Sequence, residues 1–370
     1  MKALVTGGAG LIGSHIVDEL LRKGYEVRII DNLEEETHPF GKPAWIQKEA
    51  EFIHGSLTDE TLLLKALQGV DCVFHQAAYG GFALNQSKYV HSNTIGTLNI
   101  FQTIKAQHLP IKKIVYASSQ AVYGEGKYRC EEHGVQEPSF RNIDDLNKGK
   151  WEVMCPVCSE NLQPMPTDEK KRLILETTYA ITKQSQELIA SSMGKSLKIP
   201  TVGLRYSMTY GPRQSLFNPY TGVCSIFSTR ILNSLPPIVY EDGKQTRDLV
   251  FVEDVAKANV FVMEREEANN QVFNVGTGKQ TTILEFVDYL CEAYNKDSMY
   301  HLSHEFRPQD VRHLFSDNSK LKGLGFEPKV NIREGIKKYA SWIKTQGEVG
   351  EYFSKYKQKM EEMGIVRKRQ

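Results

Sequence analysis

The chain has 370 residues, 40% hydrophobic and 25% charged, with a formal net charge of +1. That balance is one of a soluble globular protein with a sizeable core. It offers no general field for nucleic acid or an anionic membrane surface, so an anionic ligand must be held by a few placed groups. No run of apolar residues reaches membrane-spanning length, the N-terminus enters a strand at once without signal-peptide anatomy, and six cysteines in such a chain suggest reduced thiols. The expected location is the cytoplasm.

The chain opens with a short apolar run, Lys2–Thr6, then Gly-Gly-Ala-Gly-Leu-Ile-Gly, a helical pattern from Ser14 to Gly24, and a second apolar run ending at Asp31. Strand, glycine turn, helix and strand make a βαβ unit. The alternation continues through Glu51–Gly55, a helix over Asp59–Leu67, a strand from Asp71, a helix over Asn93–Gln107, the strand Lys112–Ser119, a helix over Thr178–Met193 and the strand Thr201–Ser207. Continuously apolar strands between helices predict a doubly wound parallel sheet of Rossmann type, covered on both faces. That nucleotide-binding domain is expected over residues 1–206. A smaller α/β substrate domain follows over 207–345, with helices near Val223–Asn233 and Ile283–Tyr294 and with about 240–275 returning to the first domain. Residues 346–370 read as a helical tail packed along the outside.

Gly7, Gly10 and Gly13 stand directly after a strand and before a helix, where glycine permits the tight turn, the backbone's approach to a pyrophosphate and close helix–strand packing. The helix N-terminus, with Leu11 and Ile12, supplies free N–H groups for phosphate. Asp31 ends the second strand, where an acid meets an adenosine ribose; a carboxylate repels a 2′-phosphate, so NAD is favoured over NADP. Tyr179 and Lys183 share a helix face at i, i+4. A phenol is a poor base at neutral pH, and a nearby ammonium lowers its pKa.

Between Tyr123 and Tyr179 the rhythm breaks into a polar stretch too long for an unsupported loop. Inside this insertion (about 128–175) lie Cys130-x-x-His133 and Cys155-x-x-Cys158, two knuckles spaced to supply a tetrahedral zinc site. Four protein ligands leave no open position, so such a zinc is structural and explains how a polar insertion stays folded. Cys72, Cys224 and Cys291 read as small buried hydrophobes.

Taken in order, Thr6-Gly-Gly-Ala-Gly-Leu-Ile-Gly13, His75-Gln-Ala-Ala78, Asn93-x-x-Gly-Thr-x-Asn99, Ser118-Ser-Gln-Ala-Val-Tyr-Gly124, Tyr179-x-x-x-Lys183, Gly243-x-x-x-Arg-Asp248 and Arg307-Pro-Gln-Asp-Val-Arg312 resemble the extended short-chain dehydrogenase/reductase family of nucleotide-sugar epimerases and dehydratases. The resemblance implies that Tyr179 is the base, that Lys183 binds the nicotinamide ribose and tunes Tyr179, and that Ser119 rather than Ser118 hydrogen-bonds the reacting sugar hydroxyl. It implies a tightly held NAD contacted also by Asn32, Ser56, Leu57, Gln76, Ala77, Ala78, Asn93 and Ser118. Substrate contacts fall to Ser119, Gln120, Arg205 and Asn218, with Arg247 and Arg307 clamping the diphosphate. Dehydratases of the family carry an acidic pair after the catalytic hydroxyl; here Gln120 and Ala121 stand there, which disfavours elimination. The implied reaction is 4-epimerisation of a nucleotide-diphosphate sugar by oxidation to a keto-sugar and hydride return to the other face. The family also implies a homodimer through a helical bundle. The insertion and Ser215-Leu-Phe-Asn-Pro-Tyr-Thr-Gly222 resemble a narrower branch, the dTDP-L-rhamnose 4-epimerase-like proteins, although Met208 stands where most relatives have asparagine. The alternatives are a nucleotide-keto-sugar reductase or dehydrogenase on the same scaffold, and a catalytically silent dinucleotide-binding sensor.

Overall fold

Seven apolar runs pair into one sheet in the computed structural model, which describes residues 1–80, 85–218 and 222–369. They are β1 (Lys2–Thr6), β2 (Glu26–Asp31), β3 (Glu51–His54), β4 (Cys72–His75), β5 (Lys113–Ser119), β6 (Thr201–Tyr206) and β7 (Gln271–Val275). All six pairings are parallel, in the order β3-β2-β1-β4-β5-β6-β7. The order turns back between β1 and β4, and at such a switch point the carboxyl ends of the strands leave a crevice. The register sets Thr6 beside Ile30 and His75, and Ser119 beside Tyr206, so the strand ends share one rim.

Both faces of the sheet are covered, which is why its strands are apolar without alternation. Ala3, Val5, Ile29, Phe74 and Val115 face the helices Leu11–Arg22 and Val252–Met263, through Ile16, Leu20, Val255 and Val262. Leu4, Ile30, Val73 and Ile114 face the helices Glu60–Leu67, Gly96–Ala106 and Thr178–Leu197. The expected helix over Asn93–Gln107 is the end of a longer path that starts at Gln86 and passes through a π-helical turn over Val90–Ile95. A second core gathers Tyr210 and Phe251 from the short paired strands Met208–Tyr210 and Leu249–Phe251 with Phe227, Phe286, Leu290, Ile336 and Tyr339 from the helices Val223–Leu232, Ile283–Ala293 and Ile332–Ile343. Among the described residues no helix is long and apolar enough to cross a membrane.

The insertion folds on much less apolar material. Strands Gly134–Gln136, Lys127–Cys130 and Gln163–Met165 form a three-stranded antiparallel sheet. Its buried core is Tyr128, Cys130, Val153, Cys155 and Leu162. Charge holds it to the rest. Glu125 accepts from Arg312 N, His313 N and Tyr128 Oη. Arg312, fully buried, pairs with Glu152, Glu241 and Asp242, and Arg141 forks onto Glu241 at 2.8 and 2.7 Å. The tail expected along the outside is a helix, Phe353–Glu362, packed through Phe353, Met360 and Val366 onto Tyr240.

Candidate active site

A single cavity of about 1040 Å³ runs along the rim of the parallel sheet and into the second core. At its floor the turn after β1 is as tight as the glycine spacing requires. Gly7 has φ +68°, and a Cβ there would come within 2.7 Å of Ala77 N; a Cβ on Gly13 would overlap the carbonyl of Gly7. Leu11 and Ile12 open the helix Leu11–Arg22 onto this floor. Asp31 takes Ala9 N on one oxygen at 2.9 Å and Leu33 N on the other at 2.8 Å, which fixes its carboxylate at the cavity edge with lone pairs to spare. Asn32, Ser56, Leu57, Gln76, Ala77 and Ala78 line the same end. A cradle that a Cβ would fill, a helix N-terminus and an acid beyond the second strand fit the pyrophosphate and adenosine ribose of NAD. Glu34 also lines this end, but its carboxylate is paired with Lys88 at 2.5 Å, so the acid left to oppose a 2′-phosphate is Asp31.

Beside the cradle, β5 ends at Ser119 and the helix Thr178–Leu197 begins, its first turn capped by the Thr177 hydroxyl accepting from Ala180 N at 3.1 Å. One helical turn separates Tyr179 from Lys183, whose Nζ lies 5.8 Å from the Tyr179 ring centroid. Lys183 is nearly wholly buried and donates to Ala117 O at 3.0 Å. Burial pushes its pKa down to about 7, against the attraction of Glu187. Burial pushes the Tyr179 phenol up, and a hydrogen bond with Ser119 pulls it back. The two neighbouring serines differ. Ser118 donates to Glu187 at 2.5 Å, whereas Ser119 faces Tyr179 and accepts Ala121 N at 3.1 Å. Gln120 lines the cavity with a buried Oε1 that has no protein partner.

Farther along, Arg247 and Arg307 converge on one carboxylate. Arg247 donates to Asp310 Oδ1 at 2.8 Å and Arg307 to Asp310 Oδ2 at 2.5 and 3.1 Å. Burial alone would raise Asp310, but the two guanidiniums outweigh it and hold the carboxyl at about 2. The cavity therefore has a point built for concentrated negative charge, which suits a diphosphate. Gln309 ties this segment to the catalytic helix by donating to Glu176 O at 2.9 Å. Met208 and Asn218 also line this part; Pro219, Tyr220 and Thr221 of the Ser215–Gly222 motif lie outside the described residues.

Two expected contacts lie elsewhere. Arg205 is absent from the cavity wall: its guanidinium forks onto Glu187 at 2.8 and 2.7 Å and donates to Tyr123 Oη at 3.0 Å, so it is spent inside the protein. Asn93 sits beneath the cofactor end, accepting Tyr79 N at 2.8 Å and donating to Tyr79 O and Thr182 Oγ1, which braces the loop rather than lining it. Conversely, Asp310, Tyr240 and the tail residues Phe353, Met360 and Ile365 belong to the wall and were not read from the sequence. Asp310 sits inside the Arg307–Arg312 motif, and Phe353, Tyr356 and Met360 recur at helical spacing; both were legible signals.

In the insertion, the Sγ and Nδ1 atoms of Cys130, His133, Cys155 and Cys158 form a cluster all within 4.8 Å of one another. Cys130 Sγ lies 3.5 Å from His133 Nδ1 and 3.6 Å from Cys158 Sγ, and Cys155 Sγ lies 3.7 Å from His133 Nδ1. Ligands about 2.0–2.3 Å from a tetrahedral zinc stand roughly 3.3–3.8 Å apart, so the set fits that ion. Cys72, Cys224 and Cys291 are buried thiols.

The model of the NAD dependent epimerase/dehydratase family matches residues 3–142 and 158–276. A dTDP-L-rhamnose 4-epimerase of Burkholderia thailandensis is 31% identical over 92% of this chain and 94% of its own. The UDP-glucose 4-epimerase of Thermotoga maritima, solved with UDP-glucose, superposes with a TM-score of 0.75 at 31% identity, covering 93% of this chain and 99% of that one. The UDP-glucuronic acid 4-epimerase of Bacillus cereus, solved with NAD, gives 0.75 at 27% identity over 93% and 99%. With a family match across most of its length and relatives of this closeness, the chain belongs to the NAD dependent epimerase/dehydratase family.

Proposed function

We propose that this enzyme is an NAD-dependent nucleotide-diphosphate-sugar 4-epimerase. One observation carries the reading. A single cavity joins the dinucleotide cradle, the Ser119–Tyr179–Lys183 group and the Arg247–Arg307 pair, and no proton-transferring side chain follows Ser119 at Gln120 or Ala121. Held by the Gly7–Gly13 turn and Asp31, NAD would supply a hydride acceptor, and then donor, for C4 of the sugar. Tyr179 removes the C4 hydroxyl proton and later returns it, while Ser119 holds the same oxygen. A protonated Lys183 stabilises the phenolate of Tyr179, and its fixed hydrogen bond to Ala117 O keeps it at the required place. Arg247 and Arg307 hold the diphosphate as the keto-sugar turns to present its other face. With glutamine and alanine at the two positions after Ser119, neither can give a proton to a hydroxyl leaving from the carbon β to the C4 ketone, which disfavours elimination.

The substrate we favour is dTDP-L-rhamnose, interconverted with dTDP-6-deoxy-L-talose; the likeness to the Burkholderia enzyme supports it. The Cys130–His133–Cys155–Cys158 cluster holds a structural zinc in this reading, supported by its ligand spacing. A homodimer through the catalytic helix is supported by Ile181 and Leu188, apolar and exposed on one helix face. We place the enzyme in the cytoplasm.

The test is to incubate purified protein, without added NAD, with a panel of nucleotide sugars including dTDP-L-rhamnose and to follow products by NMR. Conversion to a C4 epimer at constant mass, abolished by Tyr179→Phe, is the expected result. Turnover that requires and consumes added cofactor would instead make the enzyme a reductase or dehydrogenase.

A further inference from the structure

We propose that the C-terminal segment Phe353–Val366 is the far wall of the substrate cleft and encloses the nucleoside end of the substrate. The proposal rests on the nucleotide-sugar reading above. The order of groups along the cavity supplies the direction. Ser119 and Tyr179 stand at the cofactor end, and Gln309, through Glu176, ties the start of the Tyr179 helix to the segment bearing Arg307 and Asp310. The Arg307 guanidinium lies 5.4 Å from the Tyr240 ring centroid, and Tyr240 packs in one cluster with Phe353, Met360 and Val366. A substrate with its sugar at Tyr179 and its diphosphate at the arginines therefore points its remaining part, a ribose and a base, toward that cluster. Phe353, Met360 and Ile365 line the cavity there, together with Ile226 and Ile238, which pack against the same cluster. Such apolar side chains bury the faces of a heterocycle and offer nothing to a second sugar.

The segment is held in place for this role. Phe306 and Arg367 exchange both backbone hydrogen bonds at 2.9 Å, so the tail pairs with the residue next to Arg307. Lys357 pairs with Glu305 at 2.8 Å, on the other side of Phe306. Arg230 reaches Glu351 at 3.2 Å and Ser354 at 3.0 Å, fixing the start of the helix. These contacts tie the wall to the segment that presents Arg307.

Calorimetric titration of the cofactor-loaded full chain with dTDP, UDP and inorganic pyrophosphate tests this. Met360→Ala is expected to weaken dTDP about tenfold, the loss of most of one buried apolar side chain, and to raise KM for the sugar nucleotide more than it lowers kcat. Pyrophosphate, which reaches only the arginines, should bind that variant as before. A chain ending at Gly350 should lose dTDP more completely, and Lys355→Ala, on the exposed side of the helix, serves as the unaffected control. Unchanged dTDP binding in Met360→Ala overturns the proposal, as does an equal loss for dTDP and pyrophosphate, which would make the tail a support for Arg307 alone. If the shortened chain does not fold, Met360→Ala decides. An unmodified chain that binds neither nucleoside diphosphate overturns both this proposal and the functional reading; one that binds them regardless of the tail overturns only this one.

Discussion

The parallel sheet and the insertion solve the same problem by opposite means. In the sheet, Leu4, Val5, Ile29, Val73, Phe74 and Val115 are fully buried, and helices on both faces complete a core that needs no charge. The insertion has a core of five buried residues, two of them (Cys130 and Cys155) also in the four-ligand cluster, a small contact of Leu146 and Trp151 with Phe306, and the Arg312, Glu152, Glu241 and Arg141 network. Apolar burial is non-directional and survives small displacements. Buried ion pairs and ligand sets work only in good geometry, because the desolvation of each charge has to be met by its partners. The sheet should therefore tolerate insults that disable the insertion, and the insertion should fail as a unit.

Removing the proposed zinc is the strongest way to split the two. Structural zinc contributes on the order of 10 kcal/mol to small domains of this kind. A strong chelator, or Cys155→Ser, should open residues 124–175 to protease while the remaining chain keeps its cofactor and its sheet. Mass spectrometry of the native protein before and after chelation gives the metal, and mapped cleavage gives the region. Cleavage spread evenly over the chain would break the comparison.

The next effect belongs to the sheet side. Tyr179→Phe should lower kcat by about 10²–10⁴, with bound NAD and the melting temperature unchanged. Loss of cofactor along with activity would mean that Tyr179 supports the cradle as well as the chemistry.

How much of this was legible follows the same division. The cradle and the Tyr179–Lys183 pair are written in neighbours along the chain: a turn that excludes Cβ atoms at Gly7 and Gly13, and a helix that brings i and i+4 together. Arg205 was misread because its partner, Glu187, lies on a helix whose facing cannot be known until that helix is docked on β6; the pair then removes Arg205 from the cavity. Asn93 was misplaced for a similar reason, since the loop it braces folds over it. The knuckle spacing was readable, but the carboxylates that gather around Arg312 come from Glu152, Glu241 and Asp242, and no spacing rule connects them. The tail's part in the cavity depends on the pairing of Phe306 with Arg367, a contact between distant segments.

Arg312→Met probes that charge network directly. It leaves Glu241 buried and Glu152 and Asp242 without their shared partner, which should cost about 3–5 kcal/mol. Denaturant unfolding measures it. A cost below about 1 kcal/mol would show that the insertion does not depend on this charge network.

The smallest effect is also the one with a defined pH signature. Burial by itself would raise the Glu152 carboxyl, yet hydrogen bonds from His313 and Arg312 outweigh it and hold it at about 2, below its ordinary 4.5. The folded value is the lower one, so the stabilisation is complete above pH 4.5 and is lost as pH falls toward 2. The side chain is 37% exposed, and solvent screening reduces what the shift is worth to about 1–2 kcal/mol. Glu152→Gln should therefore be less stable than the parent by that amount at neutral pH, and the gap should shrink below pH 4.5 and close only as pH falls toward 2. Acid would also release the proposed zinc from its thiolates, but equally in parent and variant, so their difference isolates the carboxylate. A gap that persists unchanged into acid would mean that Glu152 acts through shape and neutral hydrogen bonds, and that the insertion resembles the sheet more than its charges suggest.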